Sequence, residues 1–227
     1  MITGRTRLVA LLGHPVSGSL SPQMQNAAFA EAGLDWAYVA CDVAPESLEV
    51  AVRGLVAAGF AGANVTTPHK EAAAALADTE FDSVNTLVFT KKETVGYSTD
   101  SAVLDDLTAE RPVILGAGGA ALAFRAELPE ARVFARGSDW PPEVGDADLI
   151  VNATSERDEV LVELREGQTL VDLPYPETAT AVAAREAGAT VVTGVEVLVA
   201  QGAAAFELWT GVPAPVEAMR RAVGLSA

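Results

Sequence analysis

PVILGAGGAALAFRAELPEARVFAR, residues 112–136, runs from an apolar strand through a glycine turn into a helical stretch and out to a second strand. Gly116, Gly118 and Gly119, with the small Ala121, fit the pattern G-x-G-x-x-G/A. In that pattern the first glycine makes the tight turn, the second lets the backbone approach a pyrophosphate, and the small third residue lets helix pack on strand. The helix start offers free amide donors and a positive dipole end, which suit an anion. A glycine-rich turn can be only a turn. The strand before it, the helix after it and the second strand at the expected distance make this a dinucleotide-binding, Rossmann-like unit.

Arg136 stands twenty residues after Gly116, where dehydrogenases that prefer NAD carry an acid for the ribose hydroxyls. A guanidinium there suits a 2′-phosphate through its charge and forked donors, which points to NADP. The other reading is a solvated arginine at a strand end, and Asp139 nearby adds an opposing charge. Only eleven residues separate Arg136 from Asp148, too few for a full crossover helix with its turns. That helix is expected to be missing or reduced to a turn.

The same alternation extends in both directions. Before residue 100, strands are expected at 8–13, 36–43, 60–66, 83–89 and 94–98, the last two as a hairpin. Helices are expected over 21–33, 45–59 and roughly 68–77, with Ser21 capping the first and Pro22 at its first position. After Asp100 come a helix over about 101–109, strands at 132–136, 148–154, 169–175 and 190–194 beside PVIL, and helices over 195–211 and 212–224. Alternating units predict an α/β protein with mostly parallel sheets, its halves meeting near 100–111.

Thirty-one acidic against fifteen basic residues give a net charge of −16, which argues against nucleic acid or an anionic membrane as partner. No run reaches the roughly 18 apolar residues a membrane span needs. The N-terminal apolar run stops at Gly13-His14-Pro15, which reads as a buried strand and not a signal peptide, so a cytoplasmic address is expected. One cysteine, Cys41, excludes an internal disulfide, and two histidines cannot build a Cys/His zinc cluster. No carboxylate spacing argues for Mg²⁺, so no metal is expected.

Three lysines occur in the chain, and Lys70 stands apart from the other two at the end of NVTTPHK, residues 64–70. An amine held beside a carbonyl can protonate the alkoxide that hydride addition creates, and its neutral form can take the proton back. A lysine at a helix start paired with Glu71 or Glu31 is the structural alternative. His69 reads as a packing or surface residue. Ser19 and Ser21 alternate at spacing two, so an extended turn would aim both hydroxyls at one carboxylate. Asn85 sits inside an apolar strand and Gln201 in a small-residue helix. Both amides could hold a polyhydroxylated ring or make internal hydrogen bonds.

GHPVSGSLSPQMQNAAF, GANVTTPHKE, SVNTLVF, GYSTD, GAGGAA, DLPYP and VLVAQGAAAFELWTG, in this order, resemble the shikimate/quinate dehydrogenase family over nearly the full length. The resemblance implies two α/β domains: a substrate-binding catalytic domain over 1–100, completed by helices within 197–227, and an NADP-binding Rossmann-like domain over 101–196. The active site would lie in the cleft between them. It implies reversible, NADP-dependent reduction of 3-dehydroshikimate to shikimate by a monomer or homodimer. Lys70 and Asp100 match the pair that flanks the reacting carbon, and either could carry the proton. Ser19, Ser21, Thr66, Asn85 and Gln201 match residues that hold the carboxylate and ring hydroxyls, and Tyr175 matches a tyrosine lining the site. On the cofactor side the match covers Gly116, Gly118, Gly119, Ala120, Arg136, Thr154 and Gly194.

The chain also departs from the family pattern. Gly18-Ser19-Leu20-Ser21-Pro22 replaces HSLSP, Met24-Gln25-Asn26 replaces MHN, and Ser98-Thr99-Asp100-Ser101 replaces NTDG. The segment between Lys70 and Asn85 is trimmed, and of an Asn-Arg-Thr motif only Arg136 remains. These changes fall on supporting loops and the adenosine side, and leave quinate with NAD, or ligand binding without turnover, as alternatives.

Overall fold

β1 (Arg7–Gly13) is apolar and buried from Val9 onward, as a strand covered on both faces must be. It lies between β2 (Trp36–Asp42) and β3 (Gly62–Val65) and runs parallel to both. β4 (Thr86–Phe89) and β5 (Thr94–Tyr97) add an antiparallel hairpin, giving the order β2-β1-β3-β4-β5. The structure, a computed structural model, describes residues 2–226.

On one face of this sheet Ala10, Leu12, Ala63, Val65 and Leu87 meet Leu48 and Val52 of α2 (Leu48–Ala57) and Ala73 of α3 (Lys70–Ala74). On the other, α1 (Ser21–Glu31) brings the ring of Phe29 to 5.5 Å from Trp36 and 5.4 Å from Phe206. Trp209 donates its indole N–H to the carbonyl of Leu87 at 3.0 Å. A Cβ on Gly62 would sit 2.4 Å from that indole nitrogen, so the glycine is what lets the ring reach the strand.

The second sheet is wholly parallel. It contains β6 (Pro112–Leu115), β7 (Arg132–Phe134), β8 (Leu149–Asn152), β9 (Thr169–Asp172) and β10 (Thr190–Val192) in the order β10-β9-β8-β6-β7. Compared with the doubly wound order 3-2-1-4-5-6, this is the dinucleotide fold without its third strand, which leaves β7 at the edge. One face carries Ile114, Leu149, Val151 and Val171 against Phe124 of α4 (Gly119–Glu127) and Val197 at the start of α6 (Gly194–Thr210). The opposite face carries Val113, Leu115, Ile150 and Leu170 against Ala181 and Ala184 of α5 (Ala179–Glu186).

The links 135–148 and 153–168 contain no helix, and their Val144, Ala147, Val162 and Leu164 complete this second face. The carbonyls that a helix would have satisfied internally find a side chain instead. Buried Gln168 donates to Val144 O at 2.9 Å and Ala147 O at 2.7 Å, and accepts from Arg165 N at 2.9 Å. The short crossover is therefore an irregular plug held chiefly by this buried amide, with Arg165 Nη2 donating to Gly145 O at 3.0 Å.

Contacts divide the chain into two compact units, Met1–Thr99 with Val199–Ala227, and Asp100–Leu198. α6 begins in the second unit and ends in the first, where α7 (Val216–Ala222) packs on α1. Among the described residues no helix is long and apolar enough to cross a membrane.

Some elements differ from the sequence expectations. The helix expected over 101–109 is a 3-10 turn, Ala102–Asp106, because Leu107 is already extended and Pro112 disfavours helix just before it. α3 stops at Ala74, where i→i+3 bonds tighten the chain into turns and Asp78 bridges to Val95. Pro45–Ser47 forms a separate 3-10 turn ahead of α2. Ser21 does not cap α1. Leu20, in helical geometry, takes the cap position with no side-chain bond.

Candidate active site

The substrate-side residues of the first unit gather where β1 and β3 end. Thr66 N bonds to Leu12 O at 2.8 Å and His14 N to Thr67 O at 3.1 Å, which lays the loop after β1 beside the NVTTPHK turn. Gly13 makes this possible, since a Cβ there would fall 2.4 Å from Thr66 Cγ2. His69 is buried and donates its Nε2–H to Val43 O at 2.7 Å, an anchor for the turn. Lys70 follows as the first residue of α3, half-buried, and its carbonyl accepts from Val84 N at 3.0 Å. The start of α3 is thereby tied to the segment that leads through Asn85 into β4, so Asn85 lies just before the strand expected to contain it.

Asn85 is 2% exposed and organises a polar network inside this apolar unit. Its Oδ1 accepts from Thr99 N at 2.8 Å, Thr99 Oγ1 at 3.1 Å and Thr86 Oγ1 at 3.2 Å. Its Nδ2 donates to Thr99 Oγ1 at 3.0 Å and lies 3.5 Å from Gln201 Oε1, so α6 joins the cluster. Behind it, buried Asn64 donates to Asn85 O at 3.1 Å and Thr86 Oγ1 at 3.0 Å, and accepts from the Tyr38 hydroxyl at 2.8 Å. The sequence reading passed over Tyr38, Asn64, Thr86 and Thr99. The signal available for Asn64 was one amide in the otherwise apolar strand FAGANVT, the same signal that singled out Asn85.

Ser19 and Ser21 are not in extended backbone. Ser19 N bonds to Val16 O at 3.0 Å, and Ser21 N donates to Ser19 Oγ at 3.2 Å across a tight turn. On α1 beyond them, Gln25 donates to Gly202 O at 2.8 Å, fixing the helix that carries Gln201. Ser19, Ser21, Thr66, Lys70, Asn85 and Gln201 all belong to the first unit, where Asn85 and Gln201 meet directly.

Asp100 and Tyr175 belong to the second unit. Asp100 is buried and directly follows Thr99. Tyr175 is half-buried, and its carbonyl accepts from Arg157 Nη2. Asp172, three residues earlier, is buried against the Asn152 amide at 2.7 Å, and desolvation pushes its carboxyl above the usual range.

The glycine turn separates two kinds of requirement. Gly116 has φ +115, and a Cβ would come 3.0 Å from Ala153 O, so the fold itself demands glycine. Gly118 is exposed at the cap of α4 with an ordinary φ of −83, and a Cβ there would meet no protein atom within 4 Å. Its missing side chain leaves space for a ligand at the helix start, which is the fit a pyrophosphate requires. Ala120 lies in the first turn of α4. Thr154 stands against Gly116, its hydroxyl donating to Asn152 Oδ1 at 2.7 Å. Gly194 has a packing reason of its own, because a Cβ would lie 2.4 Å from the carbonyls of both Leu173 and Pro174.

Arg136 is half-exposed beyond β7, and Asp139 is not its partner in any ion pair found there. Its Nη2 lies 2.7 Å from Glu159 Oε2 and 3.4 Å from Glu156 Oε2, with the guanidinium 5.6 Å from the Trp140 ring centre. These two glutamates, on a link without sequence periodicity, were also missed.

A Rossmann-type sheet with an open glycine turn, in one chain with a second α/β unit holding a buried amide–hydroxyl network, is the build of a nucleotide-dependent oxidoreductase. The profile described as "Shikimate dehydrogenase substrate binding domain" matches residues 11–87, and "Shikimate 5'-dehydrogenase C-terminal domain" matches 194–223. Shikimate dehydrogenase (NADP(+)) of Anaeromyxobacter dehalogenans strain 2CP-C is 40% identical over 271 aligned positions, covering 98% of each chain. The structure of shikimate dehydrogenase from Aquifex aeolicus is 32% identical with a TM-score of 0.88, covering 99% of this chain and 100% of that one. That of shikimate 5-dehydrogenase from Thermus thermophilus, in complex with NADP(H) and shikimate, is 30% identical with a TM-score of 0.86, covering 96% and 98%. The chain belongs to the shikimate dehydrogenase family. At 227 residues it cannot fill 271 aligned positions, so the relative carries segments this chain lacks.

Proposed function

We propose that this protein is an NADP-dependent shikimate dehydrogenase, reversibly reducing 3-dehydroshikimate to shikimate, with the first unit holding the substrate and the second the cofactor. The near full-length similarity to enzymes of that name carries the reading. The open helix start at Gly118 and the buried donor–acceptor network around Asn85 support it.

NADP, when bound, supplies or accepts the hydride. Gly116, Gly118, Gly119 and Ala120 would hold its pyrophosphate, Arg136 its adenosine end, and Thr154 and Gly194 the remainder. Lys70 donates the proton that the new alkoxide needs, and takes it back in the reverse direction. Asp100 orients the Lys70 amine and the reacting hydroxyl. Its place right after Thr99 supports this, since Asn85 fixes the chain there. Ser19 and Ser21 bind the carboxylate, while Thr66, Asn85 and Gln201 bind the ring hydroxyls and Tyr175 lines the site. A cytoplasmic setting goes with this reading.

The test mixes purified protein with shikimate or quinate and NADP⁺ or NAD⁺, and follows absorbance of the reduced cofactor. Shikimate with NADP⁺ is expected to give the highest kcat/KM. A higher value for quinate would move the substrate assignment, and shikimate binding without reduction of either cofactor would leave a ligand-binding protein.

A further inference from the structure

We infer that Glu159, backed by Glu156, sets the cofactor preference of this chain by competing with the adenosine 2′-phosphate for the guanidinium of Arg136. The inference rests on the reading of the second unit as the NADP site. A 2′-phosphate would approach Arg136 as a near-dianion, and it would find one positive charge already shared between two carboxylates.

The Glu156 carboxylate is fixed by its own backbone, and the backbone that carries the more exposed Glu159 is fixed as well. Glu156 Oε1 accepts the backbone N–H groups of Arg157 at 3.0 Å, Asp158 at 3.1 Å and Glu159 at 3.4 Å, so its other oxygen is aimed at Arg136. Those amides, Asp158 foremost, hold its carboxyl below the usual range. The backbone beneath Glu159 is fastened to α5. Thr180 Oγ1 donates to Glu159 O at 3.3 Å and accepts from Leu161 N at 2.9 Å, while Ala179 N bonds to Arg157 O at 2.7 Å. The link 153–168 therefore delivers the Glu156 carboxylate, and the backbone of Glu159, to a fixed place beside the edge strand.

Both contacts fall on Nη2 of Arg136, and a guanidinium carries five N–H donors. A phosphate can bind the remaining edge only against the field of Glu159 and Glu156, or after Glu159 swings away. NAD⁺ meets the opposite situation, because its two ribose hydroxyls can donate to the same carboxylates. The acids thus weaken NADP⁺ and assist NAD⁺, and the arginine alone does not decide the preference.

Dissociation constants for NADP⁺ and NAD⁺ would be measured by titration calorimetry on the full chain and on Glu159→Gln, with Glu163→Gln, an exposed acid on the same link, as control. Steady-state kcat and KM would be measured in parallel. Glu159→Gln is expected to shift the affinity ratio toward NADP⁺ by about fivefold, the range of an exposed charge pair, through KM with kcat unchanged. Glu163→Gln is expected to leave the ratio as it was. An unchanged ratio in Glu159→Gln, or an equal change for both cofactors, overturns the inference. Wild-type protein that binds neither cofactor overturns the NADP reading beneath it.

Discussion

Asn85 grips Thr99 from two sides, its Oδ1 accepting from the Thr99 backbone N–H at 2.8 Å and its Nδ2 donating to the Thr99 hydroxyl at 3.0 Å. Since Thr99 is followed by Asp100, one buried amide fixes the direction in which the chain delivers its acid. Asn85→Ala would strand the buried Thr99 N–H and leave the Thr86 and Thr99 hydroxyls with each other and Asn64, at about 1–3 kcal/mol. Asn85→Asp keeps the acceptor but loses the Nδ2 donor and buries a charge, so it should be no better at neutral pH. Denaturant unfolding and the KM for shikimate are expected to worsen together. Normal stability with a raised KM would confine Asn85 to ligand binding.

Lys70→Ala is expected to lower turnover by about a hundredfold or more, the scale for losing a general acid. Shikimate binding should change far less. Near-normal kcat would remove its assigned role and point to Asp100 as the proton carrier.

Gly62 and Gly202 make a matched pair for stability. A Cβ on Gly62 would press within 2.3 Å of the Leu87 carbonyl and 2.4 Å of Trp209 Nε1, both held by their mutual hydrogen bond. On Gly202 it would meet side-chain ends alone, the terminal methyl of Met24 at 2.2 Å and the Gln25 amide nitrogen at 3.3 Å. Gly62→Ala should cost about 1–3 kcal/mol, as overpacking does, and Gly202→Ala clearly less. Thermal unfolding of the two variants reads the difference. Equal losses would mean that Met24 cannot move aside.

The local signals in the sequence carried much of the fold. β6, the glycine turn, α4 and β7 are legible because each has its own period or turn residue within a few positions. The missing crossover helix follows from eleven residues being too short a link. What replaced it was not legible, since Val144, Ala147, Val162 and Leu164 follow no repeat and are placed only by tertiary contact. The same holds for the polar network. Asn64 finds Tyr38 and Thr86 through strand pairing, not through neighbours in sequence. The Ser21 cap failed because Leu20 is already helical, a backbone choice that the motif S-P does not dictate.

Asp148 should give this unit an acid-sensitive joint. Burial pushes its carboxyl up, but the N–H groups of Glu110 at 2.7 Å and Arg111 at 2.9 Å outweigh that and hold it below the usual range. A depressed folded value means that the stabilisation is present above the unfolded value, near 3.9, and is lost as pH falls through the folded value. Asp148→Asn should therefore be less stable than wild type at pH about 7, with the gap closing toward pH about 3. A gap independent of pH would show that the lost hydrogen bonds, and not the charge, matter.

Gln168 is the residue on which the shortened crossover rests. Its amide nitrogen satisfies two carbonyls of link 135–148 and its oxygen holds Arg165 N, while the side chain is 2% exposed. Gln168→Ala would leave Ala147 O in an apolar face without its donor, Val144 O with only the Ala147 N–H, and a void beside Val144, for a loss of about 2–4 kcal/mol. Gln168→Glu keeps the acceptor and the volume but loses both donors and buries a charge, so it should be no better at neutral pH and should recover in part as the acid is protonated. Amide hydrogen exchange across 135–148 would localise the damage: protection should fall there first and remain in β1 and β3 of the other unit. If exchange in link 135–148 is as slow in Gln168→Ala as in wild type, the plug is held by its apolar side chains alone.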